Sequence, residues 1–297
     1  MNDNIEMHYG QQFSANVQLL SQQKGSKLRS VVPIEYVKGE SVFVDQVGET
    51  AAEPINTRHG DTPVMESEDS RRQLRIGGYE WSRLIDDFDA VKMLCDPTSA
   101  YALSAAYAMG RAIDMEIYDA ALGTSWTGQK GTEAVVLPSS QKLAADGKGF
   151  SFAKLTELKC MFDDADIDTE GRYLVYTASQ LKDLLNEEKV TNEQYNAARA
   201  LEKGEITQFM GFNFINLNGK RKGNKKIISA STVGGKTIRH CLAFSANSLK
   251  LGIGEDVRCE ISTRPDKRYA TQIYYKMFFG ATRVEERGVV QFDCVEE

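Results

Sequence analysis

The strongest constraint on the fold is a long uninterrupted helix predicted over residues 97 to 122. Asp96 can act as the N-cap and Pro97 suits the first helical position, while Gly123 can end the helix. At 1.5 Å per residue such a helix is roughly 39 Å long. One flank consists of small side chains, namely Ala102, Ala105, Ala106, Ala108, Gly110 and Ala112. The pattern predicts a rigid, partly buried helix that lets another backbone approach closely.

Two strand-like segments precede this helix and enclose a polar stretch. Residues 40 to 47 contain the β-favouring Val42 and Val44, and residues 71 to 79 alternate apolar and polar positions. The stretch between them, TRHGDTPVMESEDS, has turn-forming residues and almost nothing apolar to bury. We therefore predict a long β-hairpin. Because a two-stranded ribbon is only marginally stable alone, it must lie on its own domain or on another subunit.

The rest of the chain predicts a mixture of helices and strands. Residues 1 to about 30 are polar, without periodicity, and are typical of an extended arm. Residues 149 to 251 alternate helices and strands. The predicted helices are FAKLTELKCMFDDA, ASQLKDLLNEE and NEQYNAARALEKG, and the predicted strands are GRYLVYT, ITQFMGFNFINLN and KKIISAST. The tail predicts three strands, VRCEISTR, YATQIYYKMFF and GVVQFDC, which we expect to form one sheet against the long helix.

Composition and charge narrow the possible functions. Lys and Arg number 36 against 42 Asp and Glu, and the formal net charge of −6 disfavours strong nucleic-acid binding. The five cysteines are widely spaced and contain no CxxC pair, so neither a disulfide framework nor a zinc site is expected. No signal peptide or membrane-spanning stretch is recognisable, so we expect no membrane association.

Three motifs resemble chemical sites but are weak. Residues 230 to 237, ASTVGGKT, fit a permissive nucleotide-binding pattern, although the segments that follow resemble antiparallel strands. Residues 163 to 171, DDADIDTEG, resemble the start of a calcium-binding loop. If the loop begins at Asp166, so that Gly171 is its sixth residue, Thr177 takes the twelfth position, where a glutamate ligand belongs. His240 adjoins Cys241, yet neighbours in a strand point to opposite faces. The histidines at positions 8, 59 and 240 lack metal-ligand spacing. We expect no catalytic residues, metal or cofactor.

A basic run could contact phosphate if it faced nucleic acid. It consists of Lys220, Arg221, Lys222, Lys225 and Lys226. A solvated hairpin tip is the simpler interpretation of such a run, and no aromatic residues are present for base stacking.

The block from Arg58 to Ile117 resembles the major capsid proteins of tailed bacteriophages. GDTP, SRR, YEW, LID, DPTSAY and AMGRAID occur there in this order, and the resemblance continues more loosely through GRYLVYTASQLKDLL, MGFNFI and DKRYATQIYYKMFFGA. It therefore extends over most of the chain. The family has the Hong Kong 97-type capsid fold, an α+β architecture with an N-terminal arm, an extended hairpin called the E-loop, a peripheral domain and an axial domain.

The resemblance implies boundaries for each part of that fold. They are an arm over residues 1–33, an E-loop over 34–78, a peripheral domain over 79–149 with its spine helix over 97–122, an axial domain over 150–251, and C-terminal peripheral strands over 252–297.

The implied function is that of a non-enzymatic coat protein. Copies would form hexamers and pentamers of an icosahedral shell around a double-stranded DNA genome, assembled in the host cytoplasm. Implied partners are the protein itself, a separate scaffolding protein, a portal protein and decoration proteins, with only non-specific contact to DNA. A separate scaffold is expected because about 30 residues before the hairpin are too few for a fused one. The alternatives are an encapsulin-like cellular compartment with the same fold and, more remotely, a nucleotide-binding enzyme using Ala230 to Thr237.

The polar hairpin end suits reversible charged contacts between subunits, for which the candidates are Arg58, Asp61, Arg71 and Arg72. Some relatives join subunits covalently through a hairpin lysine and an asparagine. Residues 39 to 91 contain no lysine, so we predict no such cross-link here.

Overall fold

The computed structural model describes residues 22–54, 64–86, 98–186, 208–221, 223 and 225–296. The helices in this part of the chain are α1 (Thr98–Leu122), α2 (Phe152–Asp164) and α3 (Ala178–Leu185). The strands are β1 (Ile34–Tyr36), β2 (Ser41–Gln46), β3 (Ser70–Arg75), β4 (Gly77–Ile85), β5 (Ser125–Thr127), β6 (Glu133–Val135), β7 (Lys142–Leu143), β8 (Arg172–Tyr176), β9 (Gln208–Phe209), β10 (Phe212–Asn216), β11 (Ala230–Val233), β12 (Lys236–Ser245), β13 (Leu249–Arg264), β14 (Ala270–Arg283) and β15 (Val289–Glu296). None of these helices combines the length and apolar character needed to cross a membrane.

The long helix is confirmed as α1, which lies against a four-stranded sheet of order β1-β13-β14-β4. Ala105 and Met109 of α1 are buried against Ile273 and Tyr275 of β14. The helix ends at Gly123, whose amide donates to the carbonyl of Asp119 at 2.8 Å. The predicted N-cap and first helical residue, at positions 96 and 97, lie outside the described residues.

The end of the arm crosses α1 at its small-residue flank, as the sequence predicted. A Cβ on Gly110 would come within 2.4 Å of the backbone of Gly25. Beside this crossing the fully buried carboxylate of Asp114 accepts the amides of Lys27 at 3.0 Å and Leu28 at 2.9 Å. Because a buried carboxylate needs hydrogen-bond donors, Asp114 fixes the arm to the helix.

The hairpin prediction is confirmed for its pairing and wrong in one strand's length. Strands β2 and β3 are antiparallel, with Val42 opposite Leu74. Residues 71 to 79, however, divide between two sheets, since β3 ends at Arg75 and β4 pairs with β14. Where the chain changes sheets, the Arg75 carbonyl lies close to Gly280. Only glycine fits at position 280, because a Cβ there would come within 1.9 Å of that oxygen. Strands β2 and β3 belong to a separate four-stranded sheet of order β2-β3-β5-β6, which we call the hairpin sheet.

A seven-stranded sheet of order β7-β15-β12-β8-β10-β9, with β11 paired to β12, holds most of the core. The predicted helices and strand of this region are confirmed as α2, α3 and β8. Phe162 of α2 packs edge to face on Phe212 of β10, with ring centroids 5.4 Å apart. The helical segment predicted at NEQYNAARALEKG lies outside the described residues, and the strand predicted in KKIISAST is confirmed only from Ala230.

The tail does not form one sheet, and this prediction is wrong. Strands β13 and β14 pair beside α1 as expected, but β15 pairs with β12 in the seven-stranded sheet. The reason is burial on both faces: Val289, Val290, Phe292 and Cys294 are all inaccessible to solvent. A strand apolar on both sides is stable only in the middle of a covered sheet.

Candidate functional site

The structure describes two of the four predicted contact residues, since Arg58 and Asp61 lie outside the described part of the chain. Arg71 and Arg72 are neighbours on β3, so their side chains point to opposite faces. The Arg71 side chain is 43% exposed and lies 3.2 Å from a carboxylate oxygen of Asp45. Arg72 is buried. Of the two arginines, Arg71 is therefore the one that a neighbouring molecule can reach.

Arg72 is bound by the segment that follows β14. Its Nη2 donates to both carboxylate oxygens of Glu286, at 2.9 and 3.1 Å, and its Nε donates to the carbonyl of Val284 at 3.2 Å. Gln46 on β2 also donates to the Val284 carbonyl. In the single chain Arg72 is thus committed to an intramolecular contact that holds the hairpin sheet on the body.

Glu286 also links this contact to the end of α1 through Arg283. The fully buried Arg283 lies 3.5 Å from Glu286 and donates to the carbonyls of Ala121, at 2.8 Å, and Gly123, at 2.7 Å. Burial lowers the pKa of Arg283, and the nearby Glu286 carboxylate opposes that shift. Arginine at a helix C-terminus satisfies carbonyls that have no partner within the helix. One carboxylate therefore joins hairpin and helix.

Apolar residues at the outer part of the hairpin are uncovered in the single chain. Val47 is 80% exposed and Val64 is 87% exposed, and Met65 beside it is also exposed. Acidic Glu66, Glu68 and Asp69 follow them directly. Val64 and Met65 are neighbours in the sequence, and apolar side chains that are exposed side by side are typical of surfaces that another molecule covers.

A groove lies between the arm, α1 and β13. Its volume is about 440 Å³, and its lining includes Ala106, Met109 and Ile113 of the helix together with Ile34 and Val257. The helix packs on β14 and β4, whereas Val257 of β13, which also lines the groove, remains exposed. The groove is a second surface suited to an apolar partner.

The basic run folds back on itself, and carboxylates from other elements neutralise part of its charge. Arg221 donates to the carboxylate of Asp119 at 2.8 Å, and Lys226 lies 2.8 Å from Glu296. Of the other cations in the run, Lys220 and Lys225 are exposed and Lys222 lies outside the described residues. The surface available to phosphate is smaller than the sequence suggested.

The nucleotide-binding motif is a β-hairpin turn. Strands β11 and β12 are antiparallel, with Val233 opposite Lys236. Gly234 and Gly235 between them have φ angles of 58° and 78°, as a two-residue turn of this kind requires. A strand follows the glycines where a phosphate-binding loop needs a helix N-terminus.

The calcium-like loop already surrounds a cation, the guanidinium of Arg172. This buried group donates to the carbonyl of Asp168 at 2.9 Å and to that of Ile167, and it pairs with Asp163 at 2.6 Å. Hydrogen bonds from Lys159 and Arg172 lower the pKa of Asp163. Loop oxygens that could bind calcium thus bind arginine, and the described residues contain no cluster suited to a metal.

His240 and Cys241 point to opposite faces of β12, as expected. The histidine Nδ1 lies 2.6 Å from Asp293 on β15, whereas the thiol is fully buried. Burial, reinforced by the neighbouring Cys294, raises the pKa of Cys241 and keeps it protonated. The arrangement is structural rather than nucleophilic.

Sequence reasoning missed Glu286 and Arg283, which control the hairpin base. They are three residues apart in a turn of charged side chains, RVEERG, that predicts only solvent exposure. Arg72, the partner of Glu286, is more than 200 positions away, and no local pattern connects the two.

Comparisons with known proteins agree with the architecture. A family model described as phage capsid protein matches residues 5–296. The fold is similar to the capsid of Helicobacter pylori bacteriophage KHP30, with a TM-score of 0.76 and 11% identity, covering 100% of this chain and 99% of that chain. It is also similar to the capsid of cyanophage P-SCSP1u, with a TM-score of 0.73 and 13% identity over 100% and 96%. A structure from Mycobacterium phage Che8 has a TM-score of 0.69 and 18% identity over 96% and 97%. No curated protein sequence matches the chain.

Proposed function

This chain belongs to the phage capsid protein family and has the Hong Kong 97-type fold of tailed-phage major capsid proteins; we propose that its copies form hexamers and pentamers of a shell around double-stranded DNA. The family is one of structural proteins, and we assign this chain no catalytic role.

The observation that carries the proposal is that the described residues of one subunit leave two of its apolar surfaces uncovered. The hairpin presents Val47 and Val64 to solvent, and the groove beside α1 has no occupant among the described residues. Neighbouring copies would cover both, and each contact of ordinary size would bury about 1,600 Å². Many modest contacts around each subunit make a closed shell much more stable than any single pair.

The remaining partners follow from the same role. A separate scaffolding protein, a portal protein and decoration proteins are proposed as partners, and assembly is proposed to occur in the host cytoplasm. We retain the boundaries given above for arm, E-loop, peripheral domain and axial domain as proposed assignments. Packaged DNA is proposed to meet Lys220 and Lys225 only through non-specific phosphate contacts, since both are exposed and belong to no ion pair among the described residues.

Electron microscopy of the concentrated, purified protein tests the proposal. Uniform icosahedral particles are expected, whereas a protein that stays monomeric at every concentration would contradict it. Denaturing electrophoresis of the same particles should show single subunits, because residues 39 to 91 supply no lysine for a covalent link. A ladder of covalent oligomers would refute that second expectation without affecting the first.

A further inference from the structure

Two charged surfaces of opposite sign lie at the two ends of β14. The first, which we call the cationic tip, consists of Lys267, Arg268 and Tyr269 in the turn between β13 and β14. All three are exposed, and Tyr269 is 65% accessible. Arg264 and Asp266 of the same turn pair with each other at 2.7 Å, but Lys267 and Arg268 form no ion pair with the described residues. The tip therefore presents two free positive charges beside an aromatic ring.

The backbone of the tip is held in an unfavourable conformation. Arg268 and Tyr269 have φ angles of 52° and 62°, in the left-handed region that residues other than glycine rarely adopt. Two such residues in succession are uncommon, and strained backbone concentrates at binding sites. The strain fixes the direction in which Arg268 and Tyr269 project.

The second surface, which we call the hairpin cleft, is an open depression of about 820 Å³ between the hairpin and the β5–β6 turn. Its charged lining residues are Asp45, Asp69 and Glu133 together with Arg71 and Arg72, and Arg72 is paired with Glu286 outside the cleft. Arg71 is neutralised by Asp45 at 3.2 Å. Asp69 and Glu133 have no cationic partner among the described residues, so the cleft carries two free negative charges.

We propose that the cationic tip of one subunit docks in the hairpin cleft of a second copy. The proposal rests on the proposed shell function and names one of its contacts. Lys267 and Arg268 would pair with Asp69 and Glu133, and Tyr269 would enter the depression. Arginine and tyrosine are enriched among residues that dominate binding energy, and opposite charges fix the register of two surfaces.

The geometry requires the contact to be between copies. Tyr269 immediately precedes β14. Val284, whose carbonyl accepts a hydrogen bond from Arg72 of the hairpin sheet, immediately follows the other end of β14. A strand of 14 residues extends for roughly 45 Å, so tip and cleft of one chain cannot meet. A contact between different surfaces of identical subunits is heterologous, and repetition of it builds rings or larger assemblies.

A charge exchange between two variants tests the docking. One variant carries Lys267→Glu and Arg268→Glu, and the other carries Asp69→Lys and Glu133→Lys. Each alone places like charges in contact and should lose the particle fraction in light scattering and sedimentation. When the two variants are mixed in equal amounts, the acidic tip of the first can pair with the basic cleft of the second. The unaltered tip of the second can also pair with the unaltered cleft of the first. The mixture should recover association that neither variant shows.

Controls separate this contact from folding and from shell formation itself. Lys236→Glu and Glu170→Lys reverse exposed charges elsewhere and should assemble as the wild type does. Tyr269→Ser keeps every charge and should raise the concentration needed for assembly about tenfold. Failure of the wild type to assemble would overturn the shell function. If the wild type assembles, two results would overturn the docking alone. One is unchanged assembly of either charge variant, and the other is no recovery of assembly when the two folded variants are mixed.

Discussion

The seven-stranded sheet and the hairpin sheet bury their residues differently. In the first, Phe244 and Phe292 are fully buried on paired central strands. In the second, Leu74 of β3 is fully buried, whereas no residue of β2 is. The hairpin sheet depends on a few polar contacts at its base, above all the pairing of Arg72 with Glu286. The comparison indicates that one sheet stabilises the subunit and the other is available for contacts.

The largest expected effect is in the core of the seven-stranded sheet. Phe292→Ala removes a buried ring that packs on Phe150 at a centroid distance of 5.1 Å. The free energy of unfolding should fall by about 3–5 kcal/mol, measured by denaturant unfolding of the unassembled subunit. Val136→Ala, at an exposed position, serves as the control. A change below about 1 kcal/mol for Phe292→Ala would show that the core does not dominate stability.

Acid should weaken the same sheet at Glu296. Burial alone would raise the pKa of this carboxyl, but hydrogen bonds from Arg239 and Lys226 outweigh it and lower the pKa to about 2. Since the folded pKa lies below the ordinary value of 4.5, the stabilisation is present above pH 4.5 and is lost as pH falls towards 2. After a reduction for screening by solvent, the loss should reach about 2–3 kcal/mol. Glu296→Gln should show a smaller decrease over this range, and an unchanged pH profile would contradict the assignment.

A smaller and localised effect is expected at the hairpin base. Glu286→Gln keeps the shape of the side chain but removes the charge that Arg72 and Arg283 share. We expect a destabilisation of about 2 kcal/mol. Amide hydrogen exchange should accelerate in β2 and β3 and stay unchanged in β12 and β15. Equal acceleration in both sheets would mean that the hairpin is not held independently.

The smallest effect on stability, and a large one on assembly, is expected at Arg71. Arg71→Glu reverses an exposed charge and should alter the free energy of unfolding by no more than about 0.5 kcal/mol. Particle formation should nevertheless begin at a lower concentration than for Lys236→Glu, because the reversed charge makes the hairpin cleft more attractive to the cationic tip. Unchanged particle formation would remove Arg71 from the intersubunit surface.

Local patterns predicted the elements well and their partners poorly. The helix at residues 97 to 122 and the pairing of β2 with β3 were predictable because helix stop signals and turn residues act over a few positions. The placement of β15 was not, since an apolar strand fits any covered sheet equally well by its pattern alone. The contact of Arg72 with Glu286 spans the chain and leaves no local trace.

The sequence by itself determined that this chain has a long helix crossed closely by another backbone, a polar hairpin that must lie on other structure, and the resemblance that led to the capsid family. Tertiary structure alone decided which charges remain accessible: Arg72 is buried in its pair with Glu286, whereas Arg71 stays exposed although Asp45 lies beside it. The physical reason is that charge pairing depends on distance in space, and residues such as Arg72 and Glu286 become neighbours only after the sheets have packed.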